Sequence, residues 1–232
     1  VLRRLQEPET RARVRYDVSE GMEKEGVSMR IYRWEKVLVA VSPSHPDYVG
    51  LNLSEIAERE GKAAADAMLD LLIADDLTTR GIYFHIGEND LRRIMRDPNV
   101  SVGSDGIYYG VSGRPDTTRV HPRHFGSFAR VLGLYTREQQ VLDLPLAIRK
   151  MTALNAEILG LADRGRIVEG AVADLVVFDA NAVLDKATFT EPHATPEGIE
   201  QVFVAGVPVV REGRETGHLP GRVLRKGRTD VL

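Results

Sequence analysis

An α/β fold, with strands and helices alternating along the chain, is what this sequence predicts, and three stretches predict it. Residues 82–86, 88–97 and 100–104 run strand, helix, strand, a rhythm that calls for parallel pairing because a helix-length crossover is what joins parallel neighbours. The stretch Val100-Ser101-Val102-Gly103-Ser104-Asp105-Gly106 places apolar residues at Val100 and Val102 and closes on two glycines bracketing Ser-Asp, which is how a buried strand ending in a functional turn is written. From Gly165 onward the period changes from helical to strand-like, marking a β-rich segment at the carboxyl end.

Composition bounds the reading. With 232 residues, 43% of them hydrophobic, the chain can bury a sizeable core in one large domain or two smaller ones. The formal charge of -3 comes from nearly balanced acids and bases, so no basic field points to nucleic acid, and a small-molecule partner is expected. No apolar run approaches the roughly 20 residues that cross a bilayer, and no membrane partner is expected. The absence of cysteine excludes disulfides and thiolate metal sites within the chain and agrees with a reducing, cytoplasmic setting. The opening Val-Leu-Arg-Arg has neither an initiator Met nor a signal-peptide pattern and reads as a fragment or a processed product.

Taken in order, residues 1 to about 33 are charged and helix-prone, with few apolar anchors, so they need something else to pack on. Residues 34–42 form a β-branched apolar run read as a strand, stopped by Pro43 and Pro46. Residues 53–61 read as a helix opening near a capping residue and closing on Gly61. Residues 62–75 place Ala65, Met68, Leu69, Leu72 and Ile73 at helical spacing, as an amphipathic helix lying on a sheet does. The strand 82–86, the helix 88–97 with Leu91, Ile94 and Met95 on one face, and the strand 100–104 then form one right-handed unit. Helices are expected over about 127–133 and 144–154, the second with Pro145 in its first turn. Residues 173–179 read as a buried strand and 201–210 as a hairpin turning at Ala205-Gly206. These few strands have too little area to stand as a sheet with two covered faces and need partners from elsewhere. No internal repeat, heptad or low-complexity tract is present.

The candidate site is built around Asp105. At the carboxyl end of a strand it would stand where barrels of alternating strands and helices carry their chemistry; the opposing reading is a turn aspartate bonded to its own backbone. His85, at the end of the preceding strand, would share that rim and polarise a substrate or bond Asp105, unless it is a satisfied structural histidine. The loop from residue 106 to about 122 is too long for a mere connector and is expected to cover a site. Its Tyr108 and Tyr109 either line a pocket or pack against the loop. His121-Pro122-Arg123-His124-Phe125 concentrates imidazole and guanidinium beside the rim carboxylate, but His121 and His124 lack the helical presentation that paired metal ligands usually need.

Several of these stretches together carry a resemblance. Residues 165–179 (Gly-Arg-Ile-Val-Glu-Gly-Ala-Val-Ala-Asp-Leu-Val-Val-Phe-Asp) and Val202-Phe203-Val204-Ala205-Gly206-Val207-Pro208-Val209-Val210 resemble the carboxyl-terminal β segment of the amidohydrolase superfamily. More narrowly, Val102-Gly103-Ser104-Asp105-Gly106, His121-Pro122-Arg123, Phe128-Ala129-Arg130-Val131-Leu132-Gly133, Lys150-Met151-Thr152 and Gly221-Arg222-Val223-Leu224 are similar to D-aminoacylases, the N-acyl-D-amino-acid deacylases, from about residue 36 to the end.

The resemblance implies a metal-dependent hydrolase on a distorted (β/α)₈ TIM-like barrel with a small β-sandwich assembled from both chain ends. Residues 1–35 would be a charged helical insertion, 36–163 the carboxyl-terminal part of the barrel, and 164–232 the sandwich segment. In such enzymes a zinc-bound water attacks the amide carbonyl, and the aspartate closing the last barrel strand takes the water's proton and passes it to the leaving amine. By position that aspartate is Asp105, which the resemblance also implies as a metal ligand, and Arg123 is the arginine that grips the substrate carboxylate. The alternative for Arg123 is a loop arginine in a surface ion pair; the loop between Asp105 and His121-Pro122-Arg123 is longer than the family pattern, which shifts the register, and the grip is the favoured reading. His85, His121 and Tyr108 would complete the substrate-binding set. The family's His-x-His, its bridging cysteine or modified lysine, and its two later histidine ligands are all missing from this sequence. Zinc needs about three or four ligands, so most of them would lie outside this chain. The expected reaction is hydrolysis of an N-acyl-D-amino acid to a carboxylate and a free D-amino acid, inactive in the isolated chain. The alternatives are cyclic-amide opening of the hydantoinase or dihydroorotase kind and a non-catalytic structural or binding module. A missing amino-terminal half or a second copy of the chain is expected to cover the open sheet edges.

Overall fold

In the computed structural model, which describes residues 1–21, 23–24, 27–28, 31, 33–106, 120–189 and 191–224, the charged amino-terminal stretch forms two helices, α1 (Leu2–Leu5) and α2 (Pro8–Tyr16). α1 buries Leu5 alone, and α2 buries no residue. Lacking an apolar face, α2 is tied down by charge: Arg11 reaches Asp66 at 3.3 Å and Asp70 at 2.8 Å, and Arg15 reaches Asp66 at 3.4 Å. A π turn covers Asp17–Gly21, β1 (Glu23–Lys24) pairs antiparallel with β2 (Val27–Ser28), and a single 3-10 turn covers Trp34–Lys36.

The β-branched run after Trp34 forms β3 (Val37–Val41), α3 spans Leu53–Glu60, α4 spans Ala64–Ala74, and β4 (Arg80–Tyr83) closes this part of the chain. α3 starts on a capping box, in which Asn52 Oδ1 accepts from the amides of Ser54 and Glu55 at 3.0 Å while Glu55 accepts from the Asn52 amide at 2.8 Å. It ends at Gly61, whose φ of +62° is the left-handed region that favours glycine. Val37 and Val39 pack with Leu53, Ile56, Ala57, Ala67 and Leu71 into one core, against which Trp34 and Tyr48 lie. Asp75, which caps the end of α4, is buried beneath hydrogen bonds from the Ser44 amide (2.8 Å), the Ser44 hydroxyl and the Thr79 hydroxyl (2.6 Å).

The second half begins with α5 (Glu88–Arg96) and continues, past the residues outside the description, with α6 (Arg123–Arg130), α7 (Leu144–Met151) and α8 (Ala153–Leu159). α6 runs into a π turn over Val131–Glu138, so the helical stretch is longer than the expected 127–133. α7 starts where Asp143 accepts from the Leu146 amide at 2.8 Å with Pro145 in the first turn. Thr152, at φ −130° and ψ −89°, breaks the expected single helix 144–154 into α7 and α8. Four strands follow, β5 (Leu175–Phe178), β6 (Ile199–Val204), β7 (Val207–Arg211) and β8 (Arg214–Glu215), in one antiparallel sheet of that order. The hairpin between β6 and β7 turns at Ala205-Gly206, as the sequence predicts; their φ values of +50° and +80° give the twist of a two-residue hairpin turn. Met95, Ala129, Val131, Leu132, Tyr135, Val141, Leu142, Ala147 and Val183 form the core here, with Phe178 and Ile199 of the sheet packed on it.

The contacts divide the chain into two units, residues 1–85 with Val120 and His121, and residues 86–106 with 122–224. A further expectation is overturned. Residues 82–86, 88–97 and 100–104 do not form a parallel strand-helix-strand unit: β4 pairs antiparallel with β3, Val37 opposite Tyr83 and Val39 opposite Gly81, and residues 100–104 join no ladder. A strand exists only through the edge it bonds to. β3 offers β4 an antiparallel edge, and residues 100–104 are bonded by side chains and a helix carbonyl instead. Among the described residues no helix is long and apolar enough to cross a membrane.

Candidate active site

The turn that carries Asp105 is assembled from local chemistry. α5 stops at Asp97, which precedes Pro98, and the Asp97 carboxylate accepts from the Asn99 amide at 2.9 Å. Residues 100–104 then run extended. The Val102 amide donates to the Lys150 carbonyl at 3.0 Å, and Asn155 Nδ2 donates to the Val102 carbonyl at 2.9 Å. Past Gly103 the chain turns sharply: Asp105 has φ +49°, a left-handed conformation that Asp tolerates better than most residues, and the Gly106 amide donates to the Ser104 hydroxyl at 3.1 Å. A side chain at Gly106 would meet Ser104 Oγ at 3.0 Å and the His124 backbone at 3.3 Å, so this turn lies close against the start of α6.

That proximity brings two of the expected site residues together. Arg123, the first residue of α6, places Nη2 2.8 Å from Asp105 Oδ2, with the Asp105 side chain 82% exposed and that of Arg123 42% exposed. The turn thus presents a carboxylate to solvent with a guanidinium already on it. His124, next along α6, is half-buried, and burial first, then the Arg123 charge, lowers its pKa below the ordinary imidazole value; the Asp105 charge opposes them and His193 adds to the lowering. His124 is therefore neutral near pH 7, an acceptor as well as a donor. His193 itself lies by the Phe125 ring, 5.2 Å between centroids. It sits outside any helix or strand, and no spacing in the sequence marks it.

His85 is exposed and follows β4, which ends at Tyr83 rather than running through 86, and His121 is half-buried; both belong to the first unit, Asp105 and Arg123 to the second. Tyr108 and Tyr109 lie outside the described residues. The zinc implied for the family finds no fit here, because among the described residues no group of three or more His, Asp or Glu side chains could hold a metal, and an exposed carboxylate paired with arginine is one donor where about three or four are needed.

Sequence reasoning named Lys150 only within a family motif and did not see that it is fully buried. The signal was present: Lys150 lies three residues after Ala147, on the face of α7 that packs into the core.

Comparison with known proteins supplies the context. The amidohydrolase family matches residues 44–210. The chain is similar to the N-acyl-D-glutamate deacylase of Alcaligenes xylosoxydans xylosoxydans, at 44% identity over 192 residues, which are 83% of this chain and 37% of that protein. It is also similar to the D-aminoacylase of the same organism, at 41% identity over 78% of this chain and 35% of that protein. Among solved structures, a D-aminoacylase superposes with a TM-score of 0.72 at 39% identity, covering 82% of this chain and 37% of that one. The N-acyl-D-glutamate deacylase of Bordetella bronchiseptica, complexed with zinc and a phosphonate mimic of the tetrahedral intermediate, superposes with a TM-score of 0.65 at 39% identity, over 78% and 36% of the two chains. The chain therefore spans just over a third of the length of these relatives. With mixed helices and strands in this arrangement, and with the family's sequence pattern over most of its length, the chain belongs to the amidohydrolase family.

Proposed function

We propose that this chain is the part of an N-acyl-D-amino-acid deacylase that supplies the proton-transferring aspartate, Asp105, and the substrate-carboxylate grip, Arg123. The observation that carries the reading is their contact, 2.8 Å between Arg123 Nη2 and Asp105 Oδ2 across a turn that leaves the carboxylate 82% exposed. An exposed ion pair of this kind is worth about 0.2–1 kcal/mol, so a substrate carboxylate can take the guanidinium and free Asp105. Asp105 then accepts a proton from the attacking water. The acyl carbon gains the hydroxyl oxygen, the C–N bond breaks, and the proton on Asp105 passes to the leaving nitrogen, giving a carboxylate and a free D-amino acid.

In this reading residues 36–163 correspond to barrel and 164–232 to one layer of a β-sandwich, with 1–35 an insertion. Zinc, which the Bordetella relative holds, would take its other ligands from the portion of such enzymes that this chain does not span, and that portion or a second copy would cover the open edges of its sheets. His85, His121 and Tyr108 remain candidates for the substrate pocket.

The test is stereospecific amide hydrolysis by the polypeptide that unites this chain with such a portion. N-acetyl-D-glutamate, N-acetyl-D-aspartate and N-acetyl-D-leucine should release amine where their L-forms do not. Asp105→Asn should lower kcat by about 10²–10⁴-fold, the range of a lost general base. Turnover of both enantiomers alike, or an Asp105→Asn variant as fast as the parent, would overturn the assignment, and hydrolysis of cyclic amides alone would move it to the hydantoinase kind.

A further inference from the structure

The stretch that leads into Asp105 has no sheet to hold it, yet its backbone is bonded at Asp97, Pro98 and Val102 to the junction of α7 and α8. The Asp97 carbonyl accepts from Lys150 Nζ and from the Val100 amide at 3.2 Å. The Pro98 carbonyl accepts from Arg149 Nη1 at 3.3 Å. Val102 donates its amide to the Lys150 carbonyl at 3.0 Å and receives Asn155 Nδ2 on its own carbonyl at 2.9 Å. The break at Thr152 makes this possible: it takes the Lys150 carbonyl out of the regular helical ladder, leaving it to accept from Val102 and, at 3.3 Å, from Asn155.

Lys150 is the largest fully buried side chain described. A primary ammonium is rarely placed in a core unless its donors are used, and its Nζ is spent on the Asp97 carbonyl, at the point where α5 gives way to the extended stretch. Burial lowers the lysine's pKa, opposed by the Asp97 charge.

We infer that Lys150 and Asn155 are positioning residues for Asp105, clasping residues 97–102 at both ends so that Asp105, three residues beyond Val102, departs from a fixed backbone. The inference rests on the proposed role of Asp105 for its catalytic meaning, but the clasp itself is read without substrate. Neither side chain touches the reacting atoms; each acts through the main chain of the stretch it holds.

Amide hydrogen exchange on the 232-residue chain tests it. Lys150→Met and Asn155→Ala should each raise exchange at Val102 and its neighbours from 99 to 105 at least tenfold, while amides of the α7 core around Ala147 stay within about twofold. A residue that only adds to core stability would instead accelerate exchange across the whole second unit, and that result, or no change at Val102, would overturn the inference. Should Lys150→Met fail to fold, Asn155→Ala decides alone; loss of fold in both assigns them to the core and also overturns it. In the active assembly, each variant should lower kcat by about tenfold or more with KM within about twofold, since a displaced catalytic group costs rate rather than affinity. If Asp105→Asn were fully active while the exchange result held, the clasp would stand and the role of Asp105 would fall.

Discussion

Replacing Arg123 by alanine separates a carboxylate grip from a surface ion pair, and the structure sets the size of the effect. A charge-assisted hydrogen bond to a substrate carboxylate contributes about 1.5–3 kcal/mol. Against this stands the contact that substrate binding gives up, Arg123 to Asp105 at 2.8 Å with both side chains well exposed, worth about 0.2–1 kcal/mol. The difference of about 1–2 kcal/mol predicts a rise in KM of about 5- to 30-fold for N-acetyl-D-amino acids, at about 1.4 kcal/mol per tenfold. For the matching carboxamides, which offer no charge, the change should stay within about twofold. Initial rates over a range of substrate concentration, at low salt and again at about 1 M NaCl, where the Debye length falls to about 3 Å, give both numbers, and the high-salt series should narrow the gap. An equal rise for acids and amides, or no rise for either, refutes the grip and leaves Arg123 a surface partner of Asp105.

Three further outcomes follow from the geometry. Asp75→Ala removes the acceptor of the Ser44 amide, the Ser44 hydroxyl and the Thr79 hydroxyl and should cost about 3 kcal/mol, lost bonds to a charged group being worth about 1.5–3 kcal/mol each and not additive; Trp34 fluorescence in urea follows the loss, because Trp34 packs on the core of the same unit. Burial raises the Asp75 pKa but the hydrogen bonds from Ser44, Thr79 and Ser42 outweigh it and hold it below the ordinary aspartate value, so its stabilisation is full above the unfolded-state value and lost as pH falls through the folded one; the parent should show this loss in urea titrations and Asp75→Ala should not. Gly198→Ala forces a Cβ to 2.5 Å from the Val183 backbone nitrogen at φ +74° and should destabilise by about 2–4 kcal/mol, whereas Gly61→Ala, at φ +62° with nothing within 4 Å, should cost about 1 kcal/mol; thermal unfolding of the two that ranks them the other way would contradict the packing. Finally, elemental analysis of the purified chain after dialysis should find far less than one equivalent of zinc, and a stoichiometric, tightly held ion would show that a ligand set exists beyond the residues described.

What the amino-acid sequence settled by itself is what depends on neighbours within a few residues. A helix start near a capping residue before 53–61, the Gly61 stop, Pro145 in a first turn and the Ala205-Gly206 hairpin turn were all legible, because each satisfies backbone groups of its own turn; that the caps are Asn52 with Glu55, and Asp143, came with the structure. The family, too, was legible, through short motifs whose residue types recur in order. Tertiary structure decided the rest, because it depends on partners that no local pattern names. The strand-like Val100 and Val102 do not make a strand; Val102 is bonded to Asn155, 53 residues away, in place of a ladder. β4 reads like a parallel barrel strand and pairs antiparallel, because β3 is the edge it meets. Asp105 could be singled out from its glycines, but that Arg123 stands on it, and that a buried lysine holds the backbone leading to it, are consequences of where α6 and α7 pack. A carboxylate's identity is written in the chain, while its position and its company are set by the long-range contacts that close around it.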